Sequence, residues 1–262
     1  MSFNLSQELE KRYGKPHLSY SSIKQAMDDM AIFDAYMRKE ITFKSDALDF
    51  GTMYDMLLFE REKALETYFI LGHDYVMERC PESVHKAKSP KATDAYKATK
   101  AAIEQELEAQ GRKLCSADDW KMANDMIDRL HTCGLYRDYL TGDYQKPVMK
   151  EIDGVLIKGF IDCRAQDFIV DSKSTRSVTG FRYDVRSLSY DIQAYLYTQA
   201  EGCNSFYWVA QEKTFPYTPA LVKCSEETLF NGEMKFKSAI HKISQWLSKE
   251  VDLREDFLSY EV

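Results

Sequence analysis

Through the first half of the chain, apolar residues recur every three or four positions, the period of a helix with one buried face. In SYSSIKQAMDDMAIFDAYMRKE (19–40), Ile23, Met27, Met30, Ile32 and Phe33 keep that spacing behind a serine suited to N-capping, and the stretch predicts a helix. SDALDFGTMYDMLLFERE (45–62) predicts a second helix, apolar on most sides and therefore buried. Residues 90–110 and 116–132 predict two more, the latter opened by Ser116 with Asp119 three positions on, a capping-box spacing. The period changes to two at residue 144. QKPVMKEIDGVLIKGFIDCRAQDFIVDSKS (145–174) alternates around turn residues at Asp153–Gly154 and at 164–167, predicting a three-stranded antiparallel meander. A helix across 187–200, strands near 204–212 and 218–224 and an amphipathic helix over 225–248 complete the order. The expectation is one α/β domain over 1–262: a helical part at 1–140, a β-rich core at 144–224 and a closing helix at 225–248, with a central mixed sheet flanked by helices.

Composition changes this picture little. The polar run HKAKSPKATDAYKATKAA (85–102) holds one Pro and no Gly and reads as a loop entering a helix, so no linker divides the chain. No stretch approaches the roughly 18 apolar residues of a membrane span, and the first residues lack the apolar segment of a signal peptide. Six cysteines (Cys80, Cys115, Cys133, Cys163, Cys203, Cys224) stand apart without a C-x-x-C pair, which disfavours a zinc ribbon or iron–sulfur cluster. Together these features predict a cytoplasmic protein with reduced thiols and no membrane partner. The net charge of −7 disfavours nucleic acid as a partner, but charge is uneven. KSTRSVTGFRYDVRS crowds Lys173, Arg176, Arg182 and Arg186 against a single acid, Asp184, and such a patch can grip phosphates.

The candidate chemistry lies in KGFIDCRAQDFIVDSKST (158–175), where two apolar runs each close on an aspartate. With a two-residue loop at Ala165 and Gln166, Phe160 faces Asp171 and Asp162 faces Ile169. Asp162, Asp171 and Lys173 then share one face, the carboxylates diagonal neighbours about 7–8 Å apart. Two carboxylates and the Ser172 carbonyl form a hard oxygen shell for Mg²⁺ or Mn²⁺. Such an ion polarises a phosphodiester and acidifies a bound water, while Lys173 orients that water or steadies charge developing on phosphate. The bland alternative is exposed hairpin charge; the apolar runs weigh against it, because unpaired buried carboxylates are costly. The triplets Asp119–Trp120–Lys121 and Glu233–Met234–Lys235 sit in helical patterns, where residues two apart diverge. Tyr190, Gln193 and Tyr197 line one helical face, either as part of this site or as a packed stripe.

These pieces together resemble the PD-(D/E)xK nuclease superfamily, and within it the RecB-like branch that includes exonuclease VIII. The matching residues are Asp162 in GFID, Asp171 and Lys173 in VDSK, and the Q-x-x-x-Y of Gln193 and Tyr197. LSYSSI (18–23) and FGTMYDMLLFE (50–60) resemble the opening helices of that nuclease domain, so the likeness spans about residues 15–248. The resemblance implies a restriction-endonuclease-like core and a metal-dependent exonuclease that degrades one strand of linear double-stranded DNA, usually 5′ to 3′. It also implies a ring-shaped homo-oligomer, a trimer or tetramer, and a single-strand annealing protein as partner in phage-type recombination. Asp55 stands where that pattern carries a metal-binding histidine, and either ligates metal or serves as a cap or ion-pair partner. Ser21 or Ser22 is expected to bind a phosphate or to cap its helix, and Arg176, Arg182 and Arg186 to contact the DNA backbone or stay solvated. The competing readings are a non-cleaving DNA-end-binding or recombination-partner protein of the same fold, and an endonuclease or flap nuclease.

Overall fold

The computed structural model describes residues 4–248. Asn4 caps α1 (Leu5–Tyr13), and a short strand, β1 (His17–Leu18), leads to Ser19, the cap of α2 (Tyr20–Asp28). The helix expected over 19–40 is two helices. Asp29 leaves the helical region (φ −159°, ψ 133°) and its carboxylate accepts the N–H groups of Ala31 and Ile32, starting α3 (Met30–Met37). A short acidic side chain that bonds nearby backbone competes with the helix it sits in, and apolar spacing does not register that competition. Behind its Ser45 cap, α4 (Asp46–Phe59) buries Phe50, Met53, Tyr54, Leu57, Leu58 and Phe59, as its apolar girth predicts.

A run of short elements follows, too brief to show a period: α5 (Arg61–Thr67), β2 (Tyr68–Ile70), α6 (His73–Met77), α7 (Glu82–His85) and a 3₁₀ turn at Pro90–Ala92. Then come α8 (Asp94–Ala109), β3 (Lys113–Cys115), which pairs in parallel with β2, α9 (Ala117–Thr132) behind Ser116, and α10 (Leu135–Tyr139). Val76, Val84, Tyr96, Ile103 and Leu107 form a satellite core of their own under this region.

The meander is present as β4 (Asp143–Ile152), β5 (Val155–Arg164) and β6 (Ile169–Thr175). It is followed by α11 (Phe181–Ser187), α12 (Tyr190–Glu201), β7 (Phe206–Glu212), β8 (Pro219–Lys223) and α13 (Glu226–Ser248). Asp153 and Gly154, both at positive φ, make the first turn, as their dipeptide predicts. The second turn differs from expectation. Its loop is four residues, Ala165–Phe168, and Cys163 pairs with Val170 and Arg164 with Ile169. Asp162 therefore comes level with Asp171 rather than with Ile169, a shift of two that keeps every side chain on its predicted face. Arg164 holds the wider loop: its guanidinium donates to the carbonyls of Gln166 at 3.0 Å and Phe168 at 3.4 Å and pairs with Glu201 at 3.1 Å.

After those two pairs β5 and β6 part. β4 follows one edge of β5 along its length, and β1 pairs in parallel with the other edge at Leu156 and Ile157. Between 158 and 162 no strand among the described residues pairs with that second edge. β6 runs parallel to β7 through the α11–α12 crossover, and β8 closes the sheet antiparallel to β7, giving the mixed sheet expected. Alternate residues of β6 and β7 serve two cores. Ile169, Trp208 and Ala210 pack with α1, α2, α12 and α13, while Val170 and Val209 pack with α4 and α9. Gly232 sets the α12–α13 approach, since a Cβ there would lie 2.1 Å from the Asp191 carbonyl oxygen. Among the described residues no helix is long and apolar enough to cross a membrane.

Candidate active site

The site forms where the sheet opens. Ile169 and Val170 bury β6, and Asp171 continues it at 1% exposure. Gln193 of α12 donates to Asp171 Oδ1 at 2.8 Å, and Asp171 Oδ2 meets the Lys173 ammonium as an ion pair. The same ammonium donates to the Ser172 carbonyl at 3.2 Å and lies 5.1 Å from the Tyr190 ring centroid. Asp162 accepts the Ser172 N–H at 3.0 Å. A carboxylate thus replaces the ladder acceptor that the backbone of β5 would have offered had the strands stayed together. From the opposite layer, α4 brings half-buried Asp55 to the same cleft. Tyr197, buried on α12, lies over Gly159 so closely that a Cβ there would sit 2.8 Å from the ring.

Burial and shared charge govern the titration. Burial raises the Asp171 carboxyl; the Lys173 ammonium opposes and Asp162 adds to the rise, leaving it at about 7. Asp55 is pushed well above the ordinary carboxylate range by burial and then by the Asp162 charge. Burial works against the charge on Lys173, but Asp171, Asp162 and Asp55 outweigh it and hold its pKa above the usual lysine value. Tyr197 is raised to about 12 by burial and then by Asp171 and Asp162.

The cleft beside this cluster holds about 760 Å³, with Ser21, Asp55, Ser172, Lys173, Tyr190 and Gln193 among its walls. The structure thus brings together Asp55, Asp162, Asp171, Ser172, Lys173, Gln193 and Tyr197. It leaves other expected contacts outside. Ser22 is buried, and its hydroxyl accepts the Ser19 N–H at 2.8 Å and donates to the Ser19 carbonyl at 2.9 Å, so capping consumes it. Arg182 rests on Tyr183, Arg186 stands 3.8 Å from Glu227 of α13, Arg176 is exposed, and none of the three lines the cleft. Sequence reading did not single out Lys24, Tyr36, Phe43, Leu48 and Leu188 as cleft walls. Phe43 and Leu48 are large apolar side chains that remain exposed, a property the structure shows and the sequence does not.

The donor chemistry suits a hard divalent cation. Three carboxylates and a carbonyl supply oxygen alone, and Ser172 Oγ and Gln193 Oε1 are buried without a hydrogen-bond partner. Among the described residues no three Asp, Glu, His or Cys side chains close tightly enough to hold a metal unaided. The Lys173 ammonium takes the point where Asp171 and the Ser172 carbonyl converge, so a positive charge already sits there.

Residues 19–253 match the family described as a PDDEXK-like domain of unknown function, DUF3799. The chain belongs to this family. The match spans β5, β6, β7 and α12, and of these β5, β6 and α12 carry Asp162, Asp171, Lys173 and Gln193. Among solved structures, an Eubacterium rectale protein provisionally described as an exonuclease shares the fold, with a TM-score of 0.61 and 17% identity over 100% of this chain and 96% of that one. A phage-related exonuclease from Haemophilus somnus 129PT is also similar, at a TM-score of 0.32 and 14% identity over 63% of this chain and 93% of that one. No curated protein matches.

Proposed function

We propose that this chain is a divalent-metal-dependent nuclease, acting as an exonuclease on linear duplex DNA with Mg²⁺ as its ion. One observation carries the reading: carboxylates from three separate elements, α4, β5 and β6, gather with one lysine at the end of an open cleft. A purely structural cluster would be paired out, whereas here the carboxylates face a single ammonium and each other. Asp162, Asp171, the Ser172 carbonyl and Asp55 are the residues that would hold the ion. Bound there, it supplies Lewis-acid polarisation of the phosphodiester and an acidified water.

The chain's own groups do the remaining work. Gln193 fixes the Asp171 carboxylate through Oδ1, and Asp162 is fixed by the Ser172 N–H, so both acids are oriented before substrate arrives. Lys173, drawn off Asp171, offers its charge to the phosphate oxygens as negative charge builds on them. Tyr197, packed against Gly159, lies close enough to Asp171 and Asp162 to feel their charge. The annealing partner, the ring assembly and the 5′ to 3′ direction go with the reading on resemblance alone.

The test is a gel of 5′- and 3′-labelled linear duplex beside a closed circle, each with Mg²⁺ and with EDTA. The reading expects stepwise loss of one labelled strand in Mg²⁺ only, with the circle spared. A nicked circle points instead to an endonuclease, and intact linear DNA in Mg²⁺ to a binding protein.

A further inference from the structure

Next to the carboxylate cleft lies a second, smaller depression of about 210 Å³, and the two share Tyr36 and Thr42 as a common wall. Lys15, Lys39 and Lys158 line it, together with His17 and Ser19. These lysines come from three places: the segment before β1, the turn after α3, and the uncovered edge of β5. Among the described residues none of the three ammonium groups has an ion-pair or hydrogen-bond partner. Their charge bears on the depression itself, for burial and then Lys158 and Lys15 push the His17 imidazole below its usual pKa, with Glu10 the opposing carboxylate. In a chain of net charge −7, three converging unpaired cations are a specific local feature.

Two further observations give the cluster direction and purpose. Lys158 and Asp162 lie four residues apart on β5, separated by about 13 Å at strand rise. That is the span of a few phosphates along a nucleic-acid backbone. Lys39 stands at φ 64°, the left-handed position after a helix that glycine fills without strain. A lysine there costs stability, and such strain is characteristically kept where the side chain is used.

We propose that Lys15, Lys39 and Lys158 form a second phosphate subsite, which takes the DNA strand a few nucleotides from the phosphate at Asp162 and Asp171. The inference rests on the nuclease reading, and it moves the DNA track from the arginines of 176–186 to the lysine depression.

Equilibrium binding of a fluorescent single-stranded oligonucleotide, measured in EDTA over a series of salt concentrations, tests it without cleavage. Log affinity falls with log salt by about 0.7 per phosphate contact on single strands, so Lys15→Gln, Lys39→Gly and Lys158→Gln combined should flatten the slope by about two units. At fixed low salt the affinity should drop at least tenfold. Lys39→Gly alone should weaken binding while leaving the melting temperature equal or higher, which separates binding from folding. Two comparison variants carry matching losses of charge: Lys88, Lys91 and Lys97 to Gln, and Arg176, Arg182 and Arg186 to Gln. An unchanged slope in the depression variant, or a larger change in either comparison, overturns the proposal. Hydrolysis of bis(p-nitrophenyl) phosphate by the unaltered protein in Mg²⁺ is scored separately. Its failure counts against the nuclease reading and leaves the binding result to stand or fall alone.

Discussion

Asp162 does two jobs, and substitutions separate them. Its carboxylate belongs to the acidic cluster, and it also satisfies the buried Ser172 N–H at 3.0 Å. Asp162→Asn keeps an acceptor oxygen there, whereas Asp162→Ala leaves the N–H unpaired, which costs about 1–3 kcal/mol. Urea unfolding should therefore show the Ala variant destabilised and the Asn variant close to the parent, while both lose cleavage by roughly a thousandfold or more. Equal stability of the two would mean that water replaces the carboxylate. Asp171→Asn should lose activity to the same degree with the fold intact; half the parental rate at saturating Mg²⁺ would remove Asp171 from the site. Asp55 comes from the opposite layer, so Asp55→Ala should raise the Mg²⁺ concentration needed for half activity rather than abolish cleavage. An unshifted metal titration would make Asp55 structural.

At the scale of elements, the site depends on a strand pair that separates and a helix pair that cannot. β5 and β6 part because β1 takes the far stretch of the same β5 edge and because Arg164 holds the four-residue loop open. The α12–α13 contact is the reverse case. It is set by Gly232 against the Asp191 carbonyl and pinned by Lys235, which pairs with buried Asp191 at 2.8 Å. Gly232→Ala forces a methyl into a backbone atom that has no rotamer to yield, so the helices must separate. A destabilisation of about 1–3 kcal/mol or more is expected in urea unfolding. Because α12 carries Gln193 and Tyr197, the same variant should lower cleavage even under conditions where it stays folded. A stable, fully active Gly232→Ala protein would show that the two helices pack less tightly than described.

For the whole molecule, the acidic cluster links folding, pH and metal. Asp171 titrates at about 7 when folded, above its unfolded value, so its proton stabilises the metal-free fold. That contribution is complete below the unfolded pKa of about 4 and is lost as pH rises through about 7. A divalent ion requires the deprotonated carboxylates and takes over the compensation of their charge. The melting temperature gained on adding Mg²⁺ relative to EDTA should therefore be larger at pH 8 than at pH 5, and the difference should shrink in Asp171→Asn, where Asp55 is the remaining raised carboxyl. A gain independent of pH would show that the stabilising ion binds elsewhere.

Much of this was written in the chain in order. Alternation and the Asp153–Gly154 turn predict the meander, periodicity predicts α4, α9 and α13, and the apolar runs before Asp162 and Asp171 place two acids on one face, because local geometry alone fixes which way successive side chains point. A register error of two left that face unchanged for the same reason. The break at Asp29 and the width of the second hairpin were not legible, since each turns on one side chain choosing backbone partners that composition does not reveal. Only tertiary structure decided that Asp55 arrives beside Asp171 from the other layer, that the arginines of 176–186 stand outside the cleft, and that Lys15, Lys39 and Lys158 converge. These are meetings between residues distant in sequence, set by how layers pack and where β1 joins β5, and no periodicity along the chain encodes them.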